Sequence, residues 1–425
     1  MQKEKRLAFD PYDFEKTEID GVPVYWKNFP TSPCIHIDVC FNVGSLYDTP
    51  DRAGMSHFLE HMIFDGSPTL PTKKAITEWS KVYALNSWNA WTYFTNTNFY
   101  LRCLPEHFDT ALAGMRDMIF HPLLRAEDIE HERQVITQEA WGVFKNEKFL
   151  AFCKEMLANQ YAGTARAHAA SPLGWPETIA HITREDVAEW HARNYGKGNF
   201  FIVLAGPITK THLTEIKKFL KDIPQAKNKK LNFGVISKPK KLLIRKTGEE
   251  IGDPREQVDI GVERVMKSSD APRDEVRKMD DSLLQDILFE RLRTERALCY
   301  GVSVHSNLQK DFLISAITIE ADEKNEKLIV KELWKAIADV TSGAEKKRFD
   351  TLKKTNIDRL KSSEEVTKDI VHNSLFDIIQ HGEVTTHSQS VRARENVSYA
   401  DVSKYIAKVF DKKWTMMEVI VQGKK

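Results

Sequence analysis

The chain has 425 residues, 41% of them hydrophobic and 29% charged, enough for two or three domains of an ordinary soluble globular protein. Its 62 Lys and Arg face 61 Asp and Glu, so the net charge is +1 and nothing predicts a nucleic-acid or acidic-membrane partner. No window of about 18 uncharged apolar residues offers a membrane span, and the charged opening stretch MQKEKRLAFDPYDFEK lacks the apolar core of a secretory signal. Five scattered cysteines (Cys34, Cys40, Cys103, Cys153, Cys299) form no CxxC pair, which argues against a disulfide framework and for a cytoplasmic location.

In chain order, CIHIDVCFNV alternates. Ile35, Ile37, Val39, Phe41 and Val43 share one face and His36, Asp38 and Asn42 the other, the pattern of a half-buried strand. In GMSHFLEHMIFDG, Met55, Phe58, Leu59, Met62 and Ile63 recur at helical spacing. Thr72 reads as the N-cap of a second helix carrying Ala75, Ile76 and Trp79. NFYLRCL is a strand, and EHFDTALAGMRDMIF an amphipathic helix stopped by Pro122. From Ala126 to about Gln160 a helical pattern runs without proline, predicting one long helix. Thr183 and Asp186 form a capping box, and FFIVLAG is a buried strand ending at Gly206-Pro207.

A lysine-rich stretch follows, with Lys227, Lys229, Lys230, Lys238, Lys240 and Lys241, and reads as a solvated linker. The plan then repeats. EQVDIGVERV alternates like the first strand, DDSLLQDILFERLRTER is a helix, LCYGVSVHS and FLISAITIEA are strands, and TMMEVIVQG closes the chain as another. The expectation is an α+β fold of two similar domains, each an antiparallel or mixed sheet flanked by helices. Their predicted bounds are 1–223 and 242–425, with the linker at 224–241; the second copy has no histidine pair in its helix.

His57 and His61 are four residues apart, so on a helix they share a face and can point at one ion. A neutral imidazole is a good zinc ligand, and Glu60, on nearly the same face, can reach the ion's open position without being a ligand. A catalytic zinc needs a third protein ligand. The helical stretch after Ala126 offers Glu132, Glu139 and Glu147. Glu132 and Glu139 lie two turns apart on one face, so one can coordinate while the other orients a ligand. Helix geometry does not choose between them.

The HxxEH string with a later glutamate pair resembles the inverted-motif zinc metallopeptidases, the family of pitrilysin, insulin-degrading enzyme and the mitochondrial processing peptidase β subunit. The resemblance covers most of the chain and is strongest from Ile35 to Gly206 and from Ser282 to Val304. It implies that His57 and His61 bind zinc and that Glu60 is the catalytic glutamate. Glu139, 78 residues beyond His61 and within ERQVITQE, becomes the third ligand, and Glu132 the supporting acidic residue. WNAWTYFTNTNFY resembles the family's Asn-Ala-x-Thr edge strand, which makes Asn89 and Ala90 contacts to a substrate backbone added as a strand. LRTERALCYGV resembles its Arg-x6-Tyr segment, which would place Arg293 and Tyr300 on the substrate carbonyl and the developing oxyanion. One departure is visible: where relatives carry a glycine pair before Asn-Ala, this chain has Leu85, Asn86, Ser87 and Trp88.

The function implied is a zinc metalloendopeptidase holding one Zn2+ per chain, in which Glu60 activates a zinc-bound water to hydrolyse peptides inside a closed two-subunit chamber. The chain is half the length of the family's long members. A homodimer would therefore complete two sites with Arg293 and Tyr300 acting in trans; a heterodimer with a related chain is the alternative. The reading from another class is a catalytically silent scaffold or regulatory subunit of the same fold.

Overall fold

The structure, a computed structural model, describes residues 10–169, 171–227, 229–362 and 366–422. Residues 1–9, part of the charged opening stretch on which the expectation of no secretory signal rests, lie outside the described residues.

Two mixed sheets flanked by helices form the framework, as the alternating patterns predict. The first contains β1 (Glu15–Ile19), β2 (Val22–Asn28), β3 (Ile35–Phe41), β4 (Asn89–Thr92), β5 (Thr97–Cys103) and β6 (Phe200–Gly206), in the order β1-β2-β6-β3-β5-β4. The second contains β7 (Leu243–Thr247), β8 (Val258–Lys267), β9 (Cys299–Leu308), β10 (Phe312–Ala321) and β11 (Met416–Val421), in the order β7-β11-β8-β10-β9. Each has one parallel pairing, β2 with β6 and β7 with β11, and the neighbours beyond it pair antiparallel. With β1 set aside, the two sheets share one topology strand for strand. The repeat read from the sequence is therefore a repeat of the fold, with β4 in the first sheet where β9 stands in the second.

The chain divides into two compact units that do not follow its two halves. The first is Met1–Val143, His168–Phe233 and Glu364–Thr386; the second is Phe144–Ala167, Gly234–Ser363 and His387–Lys425. In the first unit, four helices lead to the site: α1 (Met55–Ile63), α2 (Lys73–Tyr83), α3 (Phe108–Phe120) and α4 (Ala126–Phe144). An aromatic cluster anchors the sheet's inner face. The ring of Phe41 lies 4.2 Å from Tyr195, 5.1 Å from Phe200 and 6.1 Å from Phe99, centroid to centroid.

The other face of β3 differs from expectation. Instead of meeting water, Asp38 and Cys40 are buried. Cys40, Phe201, Val203 and Ala205 pack with Ile370, Val371, Leu375 and Ile378 of the helix Thr367–His381, which the chain supplies more than three hundred residues later. Asp38 accepts a 2.6 Å hydrogen bond from Asn98, yet burial pushes its carboxyl up to about 7.

The predicted single helix from Ala126 to Gln160 is two. α4 ends at Phe144, Lys145 takes a left-handed φ of 58°, and Asn146 caps α5 (Glu147–Gln160) by accepting from the backbone of Lys148 and Phe149. Sequence periodicity passes through the break because both helices keep an apolar face. They bury it in different places: α5 belongs to the second unit, where Phe149, Phe152 and Met156 meet Ile244, Ile251, Met416 and Ile420. The main core of that unit sets β8 and β10 against the helix Asp274–Leu288 through Ile260, Val262, Ile317, Leu283, Leu284 and Ile287. Among the described residues, no helix is long and apolar enough to cross a membrane.

α2 and α3 touch where Gly114 faces Trp79. A Cβ on Gly114 would lie 2.4 Å from the indole nitrogen, and Trp79 is itself wedged edge-on against Trp88. Gly114→Ala should therefore destabilise the protein by about 1–3 kcal/mol through overpacking, read as a lower midpoint in denaturant with an unchanged m-value.

Candidate metal centre

α1 starts without a side-chain cap of its own: its N-cap residue, Gly54, has none to offer. Asp48 supplies the missing acceptor, taking the backbone N–H groups of Gly54 at 2.9 Å and Ser56 at 3.1 Å and the Ser56 hydroxyl at 2.7 Å. The helix buries Phe58, Leu59, Met62 and Ile63 completely, which fixes its rotation. His57, Glu60 and His61 are then left on the side turned toward α4 and β4.

α4 is held inward by Ile129, Ile136 and Ala140, all buried, and brings Glu132 and Glu139 to the histidines. His57, His61 and Glu139 each offer one ligand atom, and these atoms lie within 4.8 Å of one another. Glu139 Oε2 is 3.6 Å from His61 Nε2 and 3.9 Å from His57 Nε2. Ligands bound tetrahedrally at zinc distances sit about 3.3–3.4 Å apart, so two imidazole nitrogens and one carboxylate oxygen at this spacing fit that ion.

The electrostatics agree. Burial pushes His57 down to about 3, helped by the adjacent His61, so its ring is neutral and keeps a lone pair. His61 Nδ1 lies 2.7 Å from Glu132 Oε2, an arrangement in which Nδ1–H donates and Nε2 is left free on the side of Glu139. Burial works against charge on His61, but the hydrogen bond to Glu132 and the charges of Glu139, Glu132 and Glu60 raise its pKa overall. Burial by itself would raise Glu132, but the bonds from His61 and Lys73 outweigh it and bring it down to about 2. Glu147, the third carboxylate weighed from spacing, begins α5 beyond the break and belongs to the second unit.

Glu60 is 9% exposed and burial raises its pKa. Its Oε2 accepts a 2.6 Å bond from Thr92 Oγ1. Thr92 ends β4, the edge strand of the first sheet, which Asn89 opens and Ala90 continues. Asn89 is exposed and its side-chain oxygen accepts from the Ala90 N–H at 2.9 Å; Ala90 is half-buried. Just before this strand, Leu85 and Asn86 hold φ values of 51° and 52°. The chain thus takes left-handed backbone just before the edge strand without a glycine, with side chains that favour that conformation less.

Arg293 and Tyr300 belong to the second unit. Arg293 sits on a π-helical turn, Phe289–Thr294, that ends the helix Asp274–Leu288, and its guanidinium lies 5.8 Å over the Phe289 ring. Tyr300 is on β9, 49% exposed, with its hydroxyl donating to Asp322 at 3.0 Å. Sequence reasoning passed over Thr92, Asp48 and Lys73. Thr92 carried a signal, as the last residue of the Asn-Ala-x-Thr string; Asp48 and Lys73 carried none, because their partners are set by the fold.

A zinc titration checks the donor set. Zinc at about a hundredfold excess over its Kd should stabilise the metal-free protein by about 2.7 kcal/mol, and His57→Ala or Glu139→Gln should erase that shift in melting temperature. Protons compete for His61, whose pKa is raised. Zinc binding should therefore weaken as the pH falls, with the loss beginning above the ordinary histidine range.

Known proteins resemble this chain in sequence and in fold. The profile of the insulinase family (peptidase family M16) matches residues 24–170, and that of the peptidase M16 inactive domain matches residues 181–356. A chain of Rickettsia felis described as an uncharacterized zinc protease is 30% identical over 194 residues, 44% of this chain and 45% of that one. YmxG of Bacillus subtilis, described as an uncharacterized zinc protease, is 24% identical over 313 residues, 70% of this chain and 71% of its own length. This chain thus spans less than half the length of the Rickettsia relative that it matches. Among solved structures, a peptidase M16 inactive domain from Pseudomonas fluorescens superposes with a TM-score of 0.83 at 16% identity, over 97% of this chain and 98% of that one. The two adjoining profile matches, which together run from residue 24 to residue 356, show that the chain belongs to the M16 peptidase family, and insulin-degrading enzyme and the mitochondrial processing peptidase β subunit are among the proteins it is similar to.

Proposed function

We propose that this chain is a zinc-dependent endopeptidase holding one Zn2+ between His57, His61 and Glu139. The observation that carries the proposal is the pairing, on one side of α1, of a three-donor cluster with a buried carboxylate that is not part of it. Zinc, when bound, supplies Lewis acidity toward water and a peptide carbonyl. The chain's own groups do the rest. Glu60, with Oε2 pinned by Thr92, keeps Oε1 for a proton: it takes one from the attacking water and delivers it to the leaving nitrogen. The raised pKa of Glu60 brings its basicity closer to neutral pH, where such a shuttle works in both directions. β4, at the edge of its sheet among the described residues, offers Asn89 and Ala90 to an extended peptide, which fits a substrate recognised by its backbone.

Arg293 and Tyr300 are the proposed carbonyl and oxyanion donors, supplied by a second copy of the chain in a closed homodimer. Their exposure supports that role, since both present polar groups outward. The five cysteines are unpaired thiols, which suits the cytoplasm as the proposed compartment.

Glu60→Gln should lower peptide turnover by about 10²–10⁴-fold while zinc content stays near one per chain. A variant cleaving at the wild-type rate would refute the role of Glu60. Tyr300→Phe should cost about 10²–10³-fold in kcat. Mixing the Glu60→Gln and Tyr300→Phe proteins tests the homodimer: exchange of subunits rebuilds one intact site per pair, so activity should return. If the mixture stays as inactive as its components, the sites are not shared.

A further inference from the structure

α2 opens with two lysines and no acidic residue in its first turn. Positive charge is the wrong sign for the N-terminus of a helix. Lys74 turns away into solvent, 4.0 Å from Glu78. Lys73 turns back: its Nζ lies 2.9 Å from Asp65 Oδ1 and 2.5 Å from Glu132 Oε1. Both carboxylates are almost wholly buried, with side chains 4% and 3% exposed. Glu132 therefore has one donor on each oxygen, Lys73 on Oε1 and His61 on Oε2.

The loop between α1 and α2 is folded tightly enough to bring Asp65 and Lys73 together. Gly66 has a φ of 147°, and a Cβ there would lie 2.7 Å from the Pro71 carbonyl oxygen. The Ser67 N–H donates to Leu70 O at 2.9 Å, and the Leu123 N–H to Gly66 O at 3.0 Å. Arg125 clamps both ends, donating to Asp65 O at 3.0 Å and to Pro71 O at 2.8 Å. A cation is thus delivered to the far side of the carboxylate that orients a candidate metal ligand.

We infer that Lys73, seated by Asp65, is a positioning residue: it holds the Glu132 carboxylate in the orientation that accepts His61 Nδ1–H, and so sets the zinc affinity of the cluster. The inference rests on the metal-centre reading above. Without Lys73, Glu132 keeps one donor and is free to turn, and His61 loses the bond that fixes its ring. The role needs a cation within reach of two carboxylates, a requirement an arginine can meet and a methionine cannot.

The test is zinc affinity, measured by competition with a chromophoric chelator on the full chain. Lys73→Met should bind zinc about tenfold more weakly and Glu132→Gln about 10–100-fold more weakly. The double variant should be no weaker than Glu132→Gln alone, because both act through one bond. Lys73→Arg, which keeps the cation, should stay close to wild type. Unchanged affinity in Lys73→Met, additive losses in the double variant, or a loss in Lys73→Arg equal to that in Lys73→Met would each overturn the inference. A wild-type chain that binds no zinc would instead sink the metal-centre reading, and this one with it.

Discussion

The site depends on one buried bond, the 2.7 Å contact between His61 Nδ1 and Glu132 Oε2. A carboxylate whose side chain is 3% exposed cannot sit inside a protein without donors. Glu132 finds them on α1 and α2, so satisfying its charge also settles how three helices meet. The same bond decides which nitrogen of His61 faces Glu139. One polar requirement therefore ties the packing of the first unit to the geometry of the donor cluster.

Around that bond the charges are graded. His57, buried and next to another imidazole, stays neutral; His61, flanked by three carboxylates, is biased toward protonation; Glu132 is held low by its donors; Glu60 is raised by burial. Four ionisable groups on two helices acquire different behaviour from burial and partners alone. Separating a carboxylate that stays charged from one with a raised pKa is what lets such a cluster combine a binding role with a proton-transfer role.

Both sheets are covered by helices drawn from distant parts of the chain. The helix Thr367–His381 shields one face of the first sheet, and α5 packs on β7 and β11 of the second. A mixed sheet flanked by helices must bury two faces, and the local α-β run of each half covers only one. Drawing the second cover from the other half of the sequence solves this for both sheets and makes each unit's core depend on remote residues.

The sequence by itself determined what is local. The four-residue spacing puts His57 and His61 on one face of α1; the two-turn spacing puts Glu132 and Glu139 on one face of α4; the caps at Thr72 and Thr183 form as read. The alternation in the strands and the repeat of the two halves were legible for the same reason, since periodicity follows from backbone geometry alone. The tertiary structure decided the rest. It buried the second face of β3, broke the predicted long helix at Lys145 and Asn146, set Thr92 on Glu60, and turned Lys73 toward Glu132. All but the helix break join residues far apart in the chain, and the break follows from where α5 buries its apolar face. Such contacts are chosen by which buried surfaces and charges must find partners, and no local pattern encodes that choice.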